Sequence, residues 1–349
     1  MNPLPAESDM HPLPEEMIVS AETHIRDILS LAIMYTPQHT AIVISDADCP
    51  LAVALTQAYQ RALPTATFID FNAVSHADIF NLFATLAPGD LVVLIQSTSF
   101  RLKDFRIRVE LFERSLKVIE HPHLSRMRGP ERNFYIDSLA YDPTYFRGVG
   151  HALKKMIDGA KHAVIDSGGE QLIFGSGLEN AKLNIGDYTG MKNIGGQFPI
   201  GEVFTEAQDL EAVNGRVRIF AFADITFSIN IPDRPLTLIV NKGRVIDVLD
   251  STPEFDQVLE KIRADEDEVW LRELGFGMNR AFSPTRVVSD VGTYERMCGI
   301  HLSLGAKHGV YKKNNFKRGT TWHHVDVFAA TELVYLDDQI IFEKGAWQV

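Results

Sequence analysis

About the first hundred residues alternate amphipathic segments with short apolar runs, and this alternation limits the fold more than any other feature of the chain. Apolar residues recur at helical spacing in residues 21–35, 50–63 and 76–86, and the strand-like runs "TAIVIS", "ATFIDF" and "LVVLIQ" follow them in turn. Strands joined through helices pair in parallel, because a right-handed crossover brings the next strand back to the same sheet. The sequence therefore predicts a Rossmann-like α/β domain with a parallel sheet. A dinucleotide is not the predicted ligand, since "SDADCP" stands where a GxGxxG motif would follow the first strand.

The residue composition changes in the later part of the chain. From residue 168 onward glycine and turn residues become frequent, and strand-like runs such as "RVRIFAFADITFSI" and "PLTLIVNKGRVIDVL" follow. One long helix is predicted over residues 253–274. We therefore predict an N-terminal arm at residues 1–18, the Rossmann-like domain at 19–185 and a mainly antiparallel α+β domain at 186–349.

The charge and the cysteine content argue against several classes of partner. The formal net charge is -12, whereas nucleic acids and anionic membranes bind basic surfaces. Two cysteines far apart in the sequence build no disulfide framework, which indicates a reducing, cytoplasmic setting. No apolar run approaches the roughly 20 residues that a membrane helix needs. The predicted partner is a peptide or a small molecule, with no nucleic acid and no membrane.

One strand-like run carries unusual polar residues. Side chains alternate across a strand, so in "TTWHHVDVF" His324 and Asp326 are predicted to share one face while His323 points to the other. An imidazole and a carboxylate side by side can bind a metal ion or each other. The choice between these depends on what else lies on that face.

Three further candidates lie in apolar or glycine-rich surroundings. Glu202 is found in "FPIGEVFT", Glu273 in "LRELGFGMN" at the predicted helix end, and His301 in "CGIHLSLG". Each has a structural explanation by itself, as a turn cap, an exposed helix residue or a core histidine. Together with the strand pair they make three carboxylates and two imidazoles, a ligand set for two divalent cations. Joint burial would favour a metal site, because buried carboxylates without a cation are costly.

These motifs resemble those of a known family. "NIGGQFPIGEVFT" resembles the "N-x-P-x-GEVFT" signature of the thermophilic metallo-aminopeptidases, the aminopeptidase T and aminopeptidase S family, and "RELGFGMN", "IHLSLG" and "HHVDV" follow in the family's order. The resemblance implies two divalent metal ions (zinc, cobalt or manganese), a homodimer, and release of N-terminal amino acids from peptides by a metal-activated water. Carried over to this sequence, the implied metal ligands are Glu202, Glu273, His301, His324 and Asp326, with Glu273 as the bridging carboxylate.

The chain departs from the family's pattern around the first histidine motif. In "YERMCGIH" the acidic residue is Glu295, displaced by one position, and Arg296 stands where the family has a glutamate. Seven residues after the histidine the family has a tyrosine, whereas this chain has His308 there and Tyr311 three residues further on. Glu295, His308 and Tyr311 are therefore the predicted catalytic residues, with a glutamate as proton carrier.

Two other interpretations stay open. The ending "HVDVFAATELVYLDD" also resembles a ring-cleaving branch, the dihydroxypyridine dioxygenases, and His301, His324 and Asp326 alone would make the two-histidine, one-carboxylate site of a single Fe(II). Alternatively, the chain binds a metal or a small ligand without turnover.

A basic loop precedes the histidine strand, and it has two explanations. It is either a solvated turn or a clamp for a substrate carboxylate. Its basic residues are Lys312, Lys313, Lys317 and Arg318.

Overall fold

The computed structural model describes residues 11–102, 105–313 and 322–349. Within these ranges no helix has both the length and the apolar composition to cross a membrane.

The chain forms two compact units that alternate along the sequence. The first contains the residues up to Thr144 together with Gly186–Ile200, and the second contains Tyr145–Ile185 together with Gly201–Val349. The chain therefore passes between the two units three times. The domain boundary after residue 185 stays a prediction.

The secondary structure of the described residues is as follows. The α-helices are α1 (Glu15–Asp27), α2 (Pro50–Ala62), α3 (His76–Ala84), α4 (Ile107–Glu113), α5 (Glu131–Ser138), α6 (Pro143–Gly159), α7 (Pro253–Glu266) and α8 (Val291–Tyr294). The strands are β1 (Ala41–Ser45), β2 (Thr67–Asp70), β3 (Leu91–Ile95), β4 (Arg101–Leu102), β5 (Phe105–Arg106), β6 (Lys117–His121), β7 (Ala163–Asp166), β8 (Gln171–Phe174), β9 (Lys182–Asn184), β10 (Ile194–Gln197), β11 (Glu202–Glu206), β12 (Val213–Ala223), β13 (Ile229–Asn230), β14 (Leu236–Asn241), β15 (Arg244–Leu249), β16 (Leu271–Gly277), β17 (Gly299–Leu304), β18 (Val325–Ala329), β19 (Leu333–Leu336), β20 (Gln339–Glu343) and β21 (Ala346–Trp347).

The first unit is built on a parallel sheet. Its strand order is β10-β6-β3-β1-β2, and all of these pairs are parallel. Every residue of β1 and of β3 is buried, as expected for the central strands of a parallel sheet that is covered on both faces. The predicted alternation of helices and parallel strands is confirmed.

The edge strand β10 comes from a distant part of the chain. Gly195 of β10 stands opposite Val118 of β6. Gly195 has a φ of 95°, and a Cβ atom there would lie 1.8 Å from the carbonyl oxygen of Val118. Glycine is therefore required for the two backbones to approach this closely. The segment 186–200 adds a fifth strand to a sheet whose other strands end by His121.

The second unit is built on an antiparallel sheet. Its main path runs β21-β20-β19-β7-β8-β12-β18-β17-β16-β11-β9, with β13 and β14 pairing with β12 and β15 pairing with β14. The hairpin between β14 and β15 turns at Lys242 and Gly243, both of which have positive φ, as is typical of tight hairpin turns. The predicted fold class, a parallel α/β part followed by a mainly antiparallel α+β part, is confirmed.

Helix α7 is shorter than the sequence predicted. The expected helix covered residues 253–274, but α7 ends at Glu266, and Asp267 at its C-cap has a φ of 67°. The following Leu271–Gly277 forms β16, in which every residue is buried. The predicted C-terminal third of the helix was therefore wrong.

The cause of this error is a buried ion pair. The guanidinium of Arg272 in β16 lies 2.8 Å from the carboxylate of Glu206 in the adjacent β11, and both side chains are almost completely buried. Charged residues in a sequence usually indicate an exposed helix face, and this pairing is not visible there. As a consequence, Glu273 lies inside a strand and not at a helix end.

His121, the last residue of β6, is fully buried between two tyrosines. Its Nε2 atom lies 2.9 Å from the hydroxyl of Tyr59, and its Nδ1 atom lies 2.9 Å from the hydroxyl of Tyr135. Burial lowers the pKa of the His121 imidazole to about 3. Between pH 6.5 and about pH 3 the His121 ring is therefore neutral in the folded chain and protonated in the unfolded chain.

We expect the free energy of unfolding to fall as the pH is lowered from 6.5 towards 3. Unfolded His121 has the ordinary pKa of 6.5 and the folded residue has a pKa of about 3, so between these values the unfolded state binds more protons. The resulting slope is up to about 1.4 kcal/mol per pH unit. Urea unfolding of His121→Gln between pH 7 and pH 4 should show a flatter dependence than wild type. His76→Gln, which removes an exposed imidazole, should keep the wild-type slope, and equal slopes in all three proteins would contradict the assignment.

Candidate metal centre

Four neighbouring strands of the antiparallel sheet carry candidate ligands. Glu202 is the first residue of β11, Glu273 lies in β16, His301 in β17 and Asp326 in β18. These strands are adjacent in the order β11-β16-β17-β18, and all four residues are buried. The sheet order thus brings together residues that are widely separated in the sequence.

Glycines stand opposite two of these residues. Glu202 pairs with Gly277, and His301 pairs with Gly275. Residues that pair directly across antiparallel strands share a face, and so do alternate residues of one strand. Gly275 and Gly277 therefore leave room on this face for the larger polar side chains.

The side chains of Glu202, Glu273 and His301 converge on one point. Nε2 of His301 lies 3.3 Å from Oε1 of Glu202 and 3.4 Å from Oε1 of Glu273, and one ligand atom of each residue lies within 4.8 Å of the others. Two ligands at about 2.0–2.1 Å from a tetrahedral zinc ion are about 3.3–3.4 Å apart. The spacing therefore matches that of a metal-ligand set, and this group could hold a metal ion.

His324 and Asp326 form a second pair in the same sheet. Nε2 of His324 lies 3.1 Å from Oδ1 of Asp326, and Nδ1 of His324 lies 3.1 Å from the carbonyl oxygen of Lys307. The carbonyl can only accept, so the neutral ring carries its proton on Nδ1 and has a lone pair on Nε2, as in metal-ligating histidines. His323 instead contacts Asp265 at 2.6 Å, so it points away from this pair, as the strand pattern predicted.

The buried carboxylates change the proton affinity of the imidazoles. Burial alone would lower the pKa of His301, but the carboxylates of Glu202 and Glu273 raise it to about 10. Burial would likewise lower the pKa of His324, and the Asp326 carboxylate raises it to about 9. Burial would raise the pKa of Glu273, but the adjoining imidazoles hold it below its usual range. The site therefore attracts positive charge, whether as protons or as a metal cation.

Several buried polar atoms around this site lack a hydrogen bond to the described residues. They are Nδ1 of His301, Nε2 of His308 and Oδ1 of Asp326. The guanidinium of Arg296 lies 3.8 Å from Oε2 of Glu202, which is too far for a hydrogen bond. Buried polar atoms without partners are rare and costly, and the Asp326 carboxylate oxygen among them would be satisfied by a cation bound among these side chains.

His308 is the predicted catalytic residue that reaches this group directly. Its side chain is 3% exposed, and its Nε2 atom lies 3.1 Å from Oε2 of Glu273. The ring packs edge-on against Tyr311, with centroids 5.0 Å apart. Glu273 therefore has one carboxylate oxygen near His301 and the other near His308.

The other two predicted catalytic residues make different contacts. The carboxylate of Glu295 contacts the guanidinium of Arg296, which in turn lies 3.8 Å from Oε2 of Glu202. The hydroxyl of Tyr311 donates to the carbonyl oxygen of Asn180 at 2.7 Å. Their catalytic roles stay predictions.

The basic loop is described only in part. Lys317 and Arg318 lie outside the described residues. The ammonium of Lys313 contacts the carboxylate of Glu179, and Lys312 is exposed. The idea of a carboxylate clamp at this loop stays a prediction.

Gly275 is a residue that the sequence reasoning did not identify. A Cβ atom at this position would lie 2.0 Å from Cε1 of His301. The imidazole therefore lies directly over the Gly275 backbone on the neighbouring strand. The sequence shows two glycines in the "LGFG" that follows Glu273. That one of them makes room for the His301 ring is visible only from the strand register.

We expect Gly275→Ala to displace the His301 ring and to weaken metal binding. The loss should be about tenfold or more in zinc affinity, the range observed when the support of a metal ligand is removed. Competition with a chromophoric chelator measures the affinity, and circular dichroism shows whether the fold is kept. Gly148→Ala in α6, where an added Cβ meets no atom within 4 Å, is the matched control. Unchanged zinc affinity in a folded Gly275→Ala protein would contradict the role of the glycine.

Comparison with known proteins gives a similarity at the level of the fold. A solved structure of wild-type AmpT from Thermus thermophilus superimposes with a TM-score of 0.56, covering 95% of this chain and 99% of that chain at 13% sequence identity. No protein-family model and no curated protein matches the chain. The chain is therefore similar to AmpT in fold across nearly its whole length.

Proposed function

We propose that the protein is a metal-dependent hydrolase that releases N-terminal amino acids from peptides. The observation that carries this proposal is the buried group of Glu202, Glu273 and His301, whose ligand atoms lie within 4.8 Å of one another. Two further points support it. The sequence motifs around these residues resemble those of the metallo-aminopeptidases, and the fold is similar to that of AmpT over 95% of the chain.

The proposed cofactor is a pair of divalent cations, zinc, cobalt or manganese, with Glu273 as the bridging ligand. Glu273 acts on both histidines of the proposed ligand set, which supports this role: its Oε1 lies 3.4 Å from Nε2 of His301, and its carboxylate is among those that raise the pKa of His324. The complete proposed ligand set is Glu202, Glu273, His301, His324 and Asp326. A single Fe(II) held by the two histidines and the aspartate would leave both buried glutamates without a role.

The chain's own residues would bind and orient the substrate around this ligand set. Cations in such a site supply a lowered pKa for a bound water and polarisation of a carbonyl oxygen. The three carboxylates of the ligand set would balance most of the charge of two divalent cations, and a cation held there would accept the lone pair of the substrate's free α-amine. Glu295 is the proposed proton carrier, and its contact with Arg296 fixes the position of its carboxylate.

We further propose that the protein acts in the cytoplasm as a homodimer. The net charge of -12 supports a substrate that is neither nucleic acid nor an anionic membrane surface. Two cysteines far apart in the sequence build no disulfide framework, which favours a reducing compartment.

The first test is the metal content of the purified protein. We expect about two divalent ions per chain by inductively coupled plasma mass spectrometry, and a clear fall in Glu202→Gln, which keeps the shape of the side chain but loses its charge. His323→Gln removes an imidazole that contacts Asp265 and should keep the wild-type content. One iron ion per chain that is indifferent to Glu202→Gln would move the assignment to the dioxygenase.

The second test is the requirement for a free amino terminus. Tripeptides with a free α-amine should release their first residue, and the same peptides with an acetylated amine should not, because an acetylated nitrogen no longer offers the lone pair that a cation of the site would bind. Chromatography of the released amino acids measures both. Equal release of acetylated and free first residues would contradict an aminopeptidase.

A further inference from the structure

Two histidines of the proposed site, the ligand His324 and the neighbouring His308, make opposite hydrogen bonds with the backbone. The carbonyl oxygen of Lys307 lies 3.1 Å from Nδ1 of His324. The amide N–H of Val310 donates to Nδ1 of His308 at 3.3 Å. A carbonyl accepts and an amide N–H donates, so the two contacts fix different tautomers.

For His308 the consequence is a proton on Nε2. A nitrogen that accepts a hydrogen bond offers its lone pair and carries no proton, so the single proton of the neutral His308 ring lies on the other nitrogen. A protonated Nε2 has no lone pair with which to bind a metal ion. His324 has the reverse arrangement, with its lone pair on Nε2.

The Nε2–H group of His308 is buried and has no well-aligned acceptor. The side chain is 3% exposed, and Nε2 makes no hydrogen bond to any described residue even though Oε2 of Glu273 is 3.1 Å away. That carboxylate oxygen is close but lies off the N–H direction. A buried donor without an acceptor is costly, and a bound molecule can supply the missing acceptor.

Aromatic neighbours hold the ring in this orientation. Tyr311 packs edge-on at a centroid distance of 5.0 Å, and Phe204 lies at 6.2 Å. The Tyr311 hydroxyl donates to the carbonyl oxygen of Asn180 and is thereby fixed. The imidazole of His308 is therefore packed between two aromatic side chains.

We propose that His308 is a substrate-binding hydrogen-bond donor of the site and not a metal ligand. Its Nε2–H donates a hydrogen bond to an oxygen atom of the bound molecule. If the proposed peptidase function holds, this atom is the carbonyl oxygen of the scissile bond. In that position the donor would strengthen its contact as charge develops on the oxygen during attack by water. This inference rests on the proposed function for the identity of the substrate, but not for the tautomer.

The tautomer is tested directly by nuclear magnetic resonance. Long-range ¹H–¹⁵N correlation spectra of ¹⁵N-labelled protein, with and without zinc, assign the protonated nitrogen of each histidine, and His308→Gln identifies the resonances of His308. We expect the Nε2–H form of His308 in both spectra. An Nδ1–H form, or a zinc-induced shift of a ligating Nε2 of His308, would overturn the proposal.

Two variants separate a donor from a ligand. His308→Phe removes the N–H group and keeps a flat ring, whereas His308→Gln keeps an N–H donor. Both should bind zinc as wild type does, measured by chelator competition. The probe is the phosphonic acid analogue of leucine, whose oxygens resemble a tetrahedral intermediate, and its affinity should fall about tenfold to hundredfold in His308→Phe and largely recover in His308→Gln. Loss of zinc from His308→Phe, or unchanged probe affinity, would contradict the donor role.

Failure of the proposed function gives a different result. Wild-type protein that binds zinc but not the probe would contradict the peptidase assignment. The donor assignment would then be decided by the tautomer spectrum and by the zinc affinity of His308→Phe, neither of which requires a substrate.

Discussion

The second unit depends on the contact of two buried carboxylates with one imidazole. Glu202 and Glu273 both lie within 3.4 Å of Nε2 of His301, and like charges so close together are unfavourable in a dry interior unless a proton or a cation lies between them. The neighbouring residues accommodate this contact. Strand register places glycines where the side chains need space, and Arg296 approaches Glu202 from outside the group. When a metal cation leaves such a site, a proton has to take its place between the carboxylates.

Much of this arrangement could be predicted from the sequence. Helical and strand periodicities indicated the parallel sheet of the first unit, since β1 and β3 are apolar throughout. Alternation along "HHVDV" placed His324 with Asp326 and turned His323 away, and the contacts of each histidine agree with it. The candidate carboxylates were recognisable because charged residues in apolar surroundings need partners.

Other features depend on contacts between distant parts of the chain. Glu273 was expected at the end of the helix predicted over residues 253–274, whereas the pairing of Arg272 with Glu206 is that of a buried strand. The role of Gly275 depends on its register with His301. The tautomers of His308 and His324 depend on one amide and one carbonyl in the loop before the last ligand strand, and no residue type encodes such a choice.

The strand β10 affects how the chain can fold. Four strands of the parallel sheet are complete by His121, but the partner of β6 is found only at Ile194–Gln197. During synthesis the edge of β6 therefore has unpaired N–H and C=O groups while the 72 residues between His121 and Ile194 are made, and exposed edges of this kind pair readily with other strands. Part of the second unit, including β7, β8 and β9, emerges in that interval. The first unit is thus not one continuous segment of the chain, and its sheet gains its fifth strand only after part of the second unit has been synthesised.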